Sequence, residues 1–416
     1  MGFESARGRG SAEQAAQEVA AALQDNGHQA VFAGGCVRDR MLGLDAEDFD
    51  IATSATPEEV QAIFPKARGV GEFFGVMLIY NRGWPIQVAT FRTEGPYSDH
   101  RRPDHVSAAT IEEDAARRDF TMNGMYWDPV AEQLLDFHGG EGDLAEGVIR
   151  AIGDPAARLE EDHLRMLRCV RFAARFSFRI ADETERAITA HRSGLEGISR
   201  ERIGEEIRRM LLHDNRATAA KLLEQLGLAE AVLGKSVTGW AGTPHLEVLT
   251  GAMTRAHYAT VLSAWAMDRG EEESPSELAM AWRERLMLSN DDRDGLVEVL
   301  EIAVQLQSDW ADLGMAGQKR LASQEWFEAS VLLLGVDQPE LAQQVDQRVE
   351  SLRPSGLAPP RLLGGMDLME AGFPPGPSFS EILEAVYDAQ LEGRIHSEAE
   401  ALDLAKEIWQ KTGSGN

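Results

Sequence analysis

Residues 11–25, "SAEQAAQEVAAALQD", place Ala, Val and Leu at helical spacing, and "NGHQ" ends the run. "AVFAGG" (30–35) then reads as a short buried strand, followed by a helix from about Val37 and by a strand "DFDIAT" (48–53). In "SATPEEVQAIF", Ser54 or Thr56 is placed to cap a helix whose first turn holds Pro57. "FGVMLIYNRGWPIQVATFR" (74–92) predicts two strands around an "NRGW" turn, with Gln87, Ala89 and Phe91 on one face against Val88 and Thr90 on the other. A polar loop, "TEGPYSDHRRPDHV" (93–106), follows, and "RRDFTMNGMYWDP" and "LLDFHGGEGDLAEGVIRAIG" add a helix and further short strands. From Pro155 onward the strand signals stop and amphipathic helices run almost to the end, interrupted at "GKSVTGWAGTP" (234–244) and "RPSGLAPPRLLGG" (353–365). The pattern is that of an α/β head with a long helical body and no internal repeat.

A chain of 416 residues, 43% apolar and 26% charged, divides into several folded modules. Nothing approaches the roughly 18 apolar residues that span a bilayer, and the first residues lack the apolar stretch of a signal peptide, so a cytoplasmic protein without a membrane partner is expected. Cys36 and Cys169 are too few for a disulfide framework or a four-ligand zinc site and read as small buried hydrophobes. A net charge of -28 argues against a protein that coats nucleic acid nonspecifically. It leaves room for a local basic face, because arginines cluster from Arg150 to Arg209 while acids dominate after Asp268.

"GGCVRDRMLG" (34–43) lacks the G-x-G-x-x-G spacing of a dinucleotide loop. Adjacent glycines between strand and helix still allow backbone N–H groups to approach a phosphate, and Arg38, one turn into the helix, adds a second grip. Of the acids that follow, Asp39 pairs locally or caps, and Asp45 and Glu47 belong to a solvated loop. Strand periodicity sets Asp48 and Asp50 side by side with Phe49 turned to the core. Two carboxylates so placed suit a divalent cation. Taken alone, the pair reads more readily as a solvated acidic turn.

Taken in order, "GGCVRDRMLG…DFDIAT", "RRDFTMNGMYWDP", "EDHLRMLRCVRFAARFSF" and "RERIGEEIRRML" resemble the bacterial class II tRNA nucleotidyltransferase and poly(A) polymerase family. The resemblance covers roughly residues 30–225, and "GGMDLMEAGFPPGPSFSEILEAVYDAQLEGRI" (364–395) is similar to the C-terminal segment of many such enzymes. It implies an α+β fold: an N-terminal helix (1–26), a DNA polymerase β-like nucleotidyltransferase head with a mixed sheet (27–154), then all-α neck and body (155–230) and body and tail (231–416) that bind RNA. It also implies that Gly34, Gly35 and Arg38 hold the triphosphate, that Asp48 and Asp50 are catalytic and bind Mg²⁺, and that Arg118 and Asn123 contact phosphate or ribose, with Asp119 positioning the loop. Asp162 and Arg165 would read the base, with Arg168 and Arg171 lining the same nucleotide site. A phosphohydrolase site is not expected, and "HD" at His213–Asp214 reads as a helix end.

Cytosine and adenine present an amino donor beside a ring-nitrogen acceptor, where uracil and guanine present a carbonyl. A carboxylate next to a guanidinium therefore favours C and A. Asp162 and Arg165, at i and i+3 of an expected helix, share a face, whereas Arg171 falls roughly opposite Asp162. Family members often carry Glu where this chain has Gln87, which removes the charge of a third carboxylate; Glu94 lies a few residues on. The loop at 93–106 resembles one that A-adding members possess. The expected function is CCA addition to tRNA from CTP and ATP, with an A-adding enzyme, a poly(A) polymerase or a catalytically silent RNA-binding relative as alternatives. The oligomeric state is not legible.

Overall fold

Most of the local signals have a structural counterpart in the computed structural model, which describes all residues except 1–10, 47, 71–74, 96–105, 251–256, 374–377 and 414–416. Helix α1 (Ala12–Asp25) starts where the Ser11 hydroxyl accepts the Gln14 N–H, and it buries Ala15, Ala16, Val19, Ala20 and Leu23. Strand β1 (Ala30–Ala33) is buried throughout and runs into α2 (Gly35–Met41) across Gly34, whose φ of 74° is strained for any residue but glycine. The helix begins two residues before the expected Val37. Strand β2 (Asp50–Thr53) leads to α3 (Pro57–Ile63), capped by Thr56 and Glu59 in a reciprocal capping box with Pro57 in the first turn. The hairpin is β4 (Val76–Asn81) and β5 (Trp84–Thr90), preceded by the short β3 (Arg68–Gly69). Its turn places Arg82 and Gly83 at φ 51° and 85°, as a primed two-residue turn requires.

After β5 come a small hairpin, β6 (Arg92–Glu94) with β7 (Val106–Ala108), then α4 (Ile111–Ala116), the 3-10 turn Thr121–Asn123, and strands β8 (Tyr126–Asp128) and β9 (Gln133–Leu135). Seven strands form one mixed sheet in the order β3-β4-β5-β2-β1-β8-β9, and only β2 and β5 pair in parallel. As the alternation implied, Val88 is buried and Gln87 exposed. Phe91 departs from the expected face: β5 ends at Thr90, and Phe91 turns into the core against Tyr126, ring centroids 6.3 Å apart.

Helix α5 (Gly140–Glu146) and β10 (Val148–Ile149) precede the helical region of α6 (Pro155–Glu161), α7 (Leu164–Phe176), α8 (Asp182–His191), α9 (Arg200–Leu211), α10 (Arg216–Gln225) and α11 (Leu228–Leu233). Among the described residues one strand does lie beyond Pro155. The two-residue β11 (Arg179–Ile180) pairs in parallel with β10, and a strand that short carries no alternation to read. These elements belong to a first unit, residues 1–236 with 285–287.

A second unit, residues 237–284 and 288–416, is helical, with no strand among its described residues. It comprises α12 (Pro244–Val248), α13 (Tyr258–Arg269), α14 (Pro275–Leu286, whose end belongs to the first unit), α15 (Asn290–Ser308), α16 (Met315–Ala322), α17 (Phe327–Asp337), α18 (Pro339–Leu352), α19 (Gly365–Glu370), α20 (Ser378–Leu391) and α21 (Glu398–Gly413). It has one apolar cluster around Trp310, Phe327 and Val345 and another around Phe373, Ile382 and Leu368. Among the described residues no helix is long and apolar enough to cross a membrane.

Candidate active site

The start of α2, the C-terminal end of α4 with its 3-10 turn, and α7 enclose one cavity of about 520 Å³ in the first unit. Nine of the expected site residues line it: Gly34, Gly35, Arg38, Arg118, Asn123, Asp162, Arg165, Arg168 and Arg171. Five lining residues outside that set are polar: Glu94, Arg117, Asp119, Arg175 and Arg202. Arg117 is the other half of the "RR" doublet, and Arg175 continues the stripe of Arg168 and Arg171 along α7; both were open to periodic reading. Arg202 lies in the "RERIGEEIRRML" motif, whose spacing alone does not single it out as a site residue. Among the described residues, eight arginines and no lysine face the cavity, against three carboxylates. The wall is thus strongly cationic within a chain of net charge -28.

A buried chain of hydrogen bonds fixes the walls. The Arg38 guanidinium donates to Asp39 (Nε to Oδ1, 2.8 Å) and to Asn123 Oδ1 (2.9 Å). It lies over the rings of Phe172 and Phe176, at 5.3 and 4.9 Å. Asn123 Nδ2 donates to Asp119 (3.0 Å), and Arg168 donates to the other Asp119 oxygen at 2.7 and 2.9 Å. Burial alone would raise the Asp119 carboxyl, but the Arg168 charge, the Asn123 amide and the Phe120 N–H together hold it down at about 2. Asp39 therefore pairs locally, as expected from its position.

A second carboxylate, Asp114 of α4, is 1% exposed and orders the arginine doublet. Its Oδ1 accepts from Arg117 Nε (2.9 Å) and the Arg92 N–H (3.1 Å). Its Oδ2 accepts from Tyr126 Oη (2.6 Å) and Arg118 (3.2 Å). Arg118 also donates to Tyr126 Oη at 3.1 Å and lies against that ring at 4.9 Å. Arg118 passes so close to Gly34 that a Cβ there would sit 3.3 Å from its Nη1.

Asp162 and Arg165 do not share a helix. Asp162 ends α6 in an extended conformation, and its Oδ1 accepts the Leu164 N–H (3.1 Å) at the start of α7. That bond breaks the expected continuous helix, so the wheel that set Arg171 opposite Asp162 does not apply. Arg171 faces the cavity, holding Glu206 at 2.7 Å. Arg165 is held from behind by Glu161 (2.5 Å) and the Arg158 carbonyl (2.7 Å), and Asp162 takes Arg202 as its ion-pair partner at 2.7 Å.

Asp48 and Asp50 lie outside the cavity lining. Asp50 opens β2, and Asp48 sits in the loop just before it rather than within the strand. Phe49 packs on Phe32, ring centroids 5.3 Å apart, so it turns inward as expected. Desolvation, and then the charge of Asp48, push the Asp50 carboxyl up, while Arg118 opposes them. Gln87 is the register partner of Asp50 across the parallel β2–β5 pair. Two neighbouring acids, with Gln87 in register with the second, form a donor set that fits a hard divalent cation. Among the described residues no group of three or more His, Cys, Asp or Glu has such geometry.

Glu94 pairs with Arg92 (3.0 Å) and Arg117 (2.9 Å), on the cavity side rather than beside Asp50. Glu47 and the loop residues 96–105 lie outside the described residues. Cys36 and Cys169 are buried free thiols, with Cys36 pushed up to about 11 by burial. His213 follows the end of α9 and accepts the Asn215 N–H, a helix-end role.

A mixed head sheet, an acid pair at the start of a central strand and an adjoining arginine-lined cavity define a nucleotidyltransferase. Residues 30–150 match the poly A polymerase head domain, and residues 177–237 match a probable RNA and SrmB-binding site of polymerase A. The CCA-adding enzyme of Geobacillus thermodenitrificans is 34% identical over 389 residues, 91% of this chain and 93% of that protein. The CCA-adding enzyme of Leuconostoc mesenteroides is 30% identical over 398 residues, 94% and 96% of the two chains. Among solved structures, Bacillus stearothermophilus CCA-adding enzyme in complex with CTP superposes with a TM-score of 0.72 at 27% identity, over 97% of this chain and 100% of that one. Thermotoga maritima CCA-adding enzyme complexed with tRNA shares the fold, with a TM-score of 0.69 at 21% identity over 94% of each chain. The chain belongs to the CCA-adding enzyme family.

Proposed function

We infer that this protein adds C, C and A to tRNA 3′ ends from CTP and ATP, without a nucleic-acid template and with release of pyrophosphate. The observation that carries this reading is a single arginine-lined cavity that joins the Gly34–Gly35 turn to Asp162. One such space holds one nucleotide, with the triphosphate at the turn and the base at the carboxylate. Both nucleotides are then read by the same groups, because cytosine and adenine share the amino-donor, ring-acceptor edge that Asp162 and Arg165 complement. Against uracil or guanine Asp162 would meet a carbonyl oxygen.

The transfer joins the RNA 3′-hydroxyl to the nucleotide α-phosphate. Arg38 and Arg118 hold the triphosphate, Asn123 holds Arg38 in place, and Arg168 and Arg171 extend the cationic wall. Asp48 and Asp50 would bind Mg²⁺, in the two-metal arrangement of phosphoryl-transfer sites. When bound, Mg²⁺ lowers the pKa of the attacking hydroxyl and offsets the charge leaving on pyrophosphate. The helical region supplies the tRNA contacts, and the cytoplasm is the location that suits tRNA maturation.

The test supplies Mg²⁺ and tRNA transcripts ending before CCA, after C or after CC, with CTP and ATP singly and together. Growth of the shortest transcript to CCA is expected. Extension of the CC-ended transcript alone would convert the assignment to an A-adding enzyme, long A tails would mark a poly(A) polymerase, and no growth at all would overturn it.

A further inference from the structure

Arg202 comes from α9, some forty residues beyond the segment that carries Asp162 and Arg165, yet it supplies the guanidinium that Asp162 holds. The Asp162 carboxylate is pinned at both oxygens: Oδ1 by the Leu164 N–H at 3.1 Å, Oδ2 by Arg202 Nη2 at 2.7 Å. One anchor comes from its own backbone turn, and without the other the group would be free to rotate about its last side-chain bond. Arg202 keeps a further nitrogen, Nη1, buried and without a hydrogen bond among the described residues. Arg165, by contrast, is engaged by Glu161 and the Arg158 carbonyl.

We propose that Arg202 is a specificity-determining positioning residue: it locks the Asp162 carboxylate in the orientation that accepts an amino group and rejects a carbonyl. The inference rests on the reading of Asp162 as the base-reading acid. Selection against U and G depends on a fixed oxygen, because a carboxylate able to swing away escapes the repulsive contact and tolerates the wrong base. A guanidinium at 2.7 Å supplies that constraint, holding the oxygen by a charge-assisted bond. Selectivity for C and A is therefore set partly on α9, whose own sequence bears no sign of base contact.

The experiment measures single-nucleotide addition to tRNA transcripts with CTP, UTP, ATP and GTP for the wild type, Arg202→Gln and Arg202→Lys, beside thermal unfolding of each. Arg202→Gln is expected to lower the CTP-over-UTP and ATP-over-GTP ratios of kcat/KM by about tenfold, chiefly by admitting the wrong base. Arg202→Lys keeps the charge without the planar fork and should fall between wild type and Arg202→Gln. Losses in both variants that are uniform across the four nucleotides, or unchanged ratios, overturn the inference. A wild type that extends no transcript would instead overturn the CCA-adding reading.

Discussion

Single residues divide the work of the site into separable parts. Asp48→Ala should lower nucleotide addition by at least about a thousandfold. Nucleotide binding, measured by calorimetry, should stay within a few-fold of wild type, because the cavity residues are untouched. Gln87→Glu would set a third carboxylate in register with Asp50, and we expect a lower half-saturating Mg²⁺ in the addition assay with lower stability in metal-free buffer. An unchanged Mg²⁺ titration would count against the acid pair as the metal site. Asp119 has a pH signature of its own. Its folded-state carboxyl lies at about 2, below the ordinary value near 3.8, so the stabilisation it provides is complete above pH 4 to 5 and is lost as pH falls toward 2. The shift corresponds to about 2 kcal/mol. In urea unfolding between pH 5 and 2, Asp119→Asn should be less stable than wild type at pH 5, and the difference should shrink steadily as the pH falls.

At the scale of elements, the legible parts were those with a repeating signal. The α1 stripe, the capped α3, the β4–β5 hairpin and the arginine stripe of α7 all rest on periodicity or turn chemistry, and the structure contains each of them. The break between α6 and α7 was hidden. No Gly or Pro marks it; a side chain two residues before Leu164 competes for a backbone N–H, a local choice that periodicity does not register. Asp114 was hidden for another reason: in "IEEDAARR" it looks like one more acid of an exposed helix start, and only the fold shows Tyr126 closing over it. Close packing also places demands on glycine. A Cβ on Gly140, the first residue of α5, would stand 2.4 Å from the Thr121 carbonyl oxygen and 2.8 Å from Met125. Gly140→Ala should push the 3-10 turn that carries Asn123, lowering the melting temperature and weakening CTP and ATP binding together by calorimetry. A variant with wild-type binding would show that the turn tolerates displacement.

The molecule as a whole carries its charge unevenly. Residues 1–236 hold 28 basic and 39 acidic side chains, a net of -11, whereas residues 237–416 hold 13 and 30, a net of -17. A tRNA partner is therefore not captured by a broad basic surface. We expect its binding to depend weakly on salt, with a slope of log K against log salt no steeper than about -3, as a few phosphate contacts would give. Filter binding between 0.05 and 0.3 M salt checks this, and a slope near -6 would contradict it. The cavity pursues the opposite policy with a single residue type. Since its eight cations among the described residues are all guanidinium, amine-directed acylating reagents should leave nucleotide addition largely intact, whereas phenylglyoxal should abolish it and bound CTP should protect. In a cell the same composition would leave a nucleotide bound in this cavity without a lysine among the described lining residues for acetylation to reach, so control of this enzyme by that modification would act elsewhere on the chain.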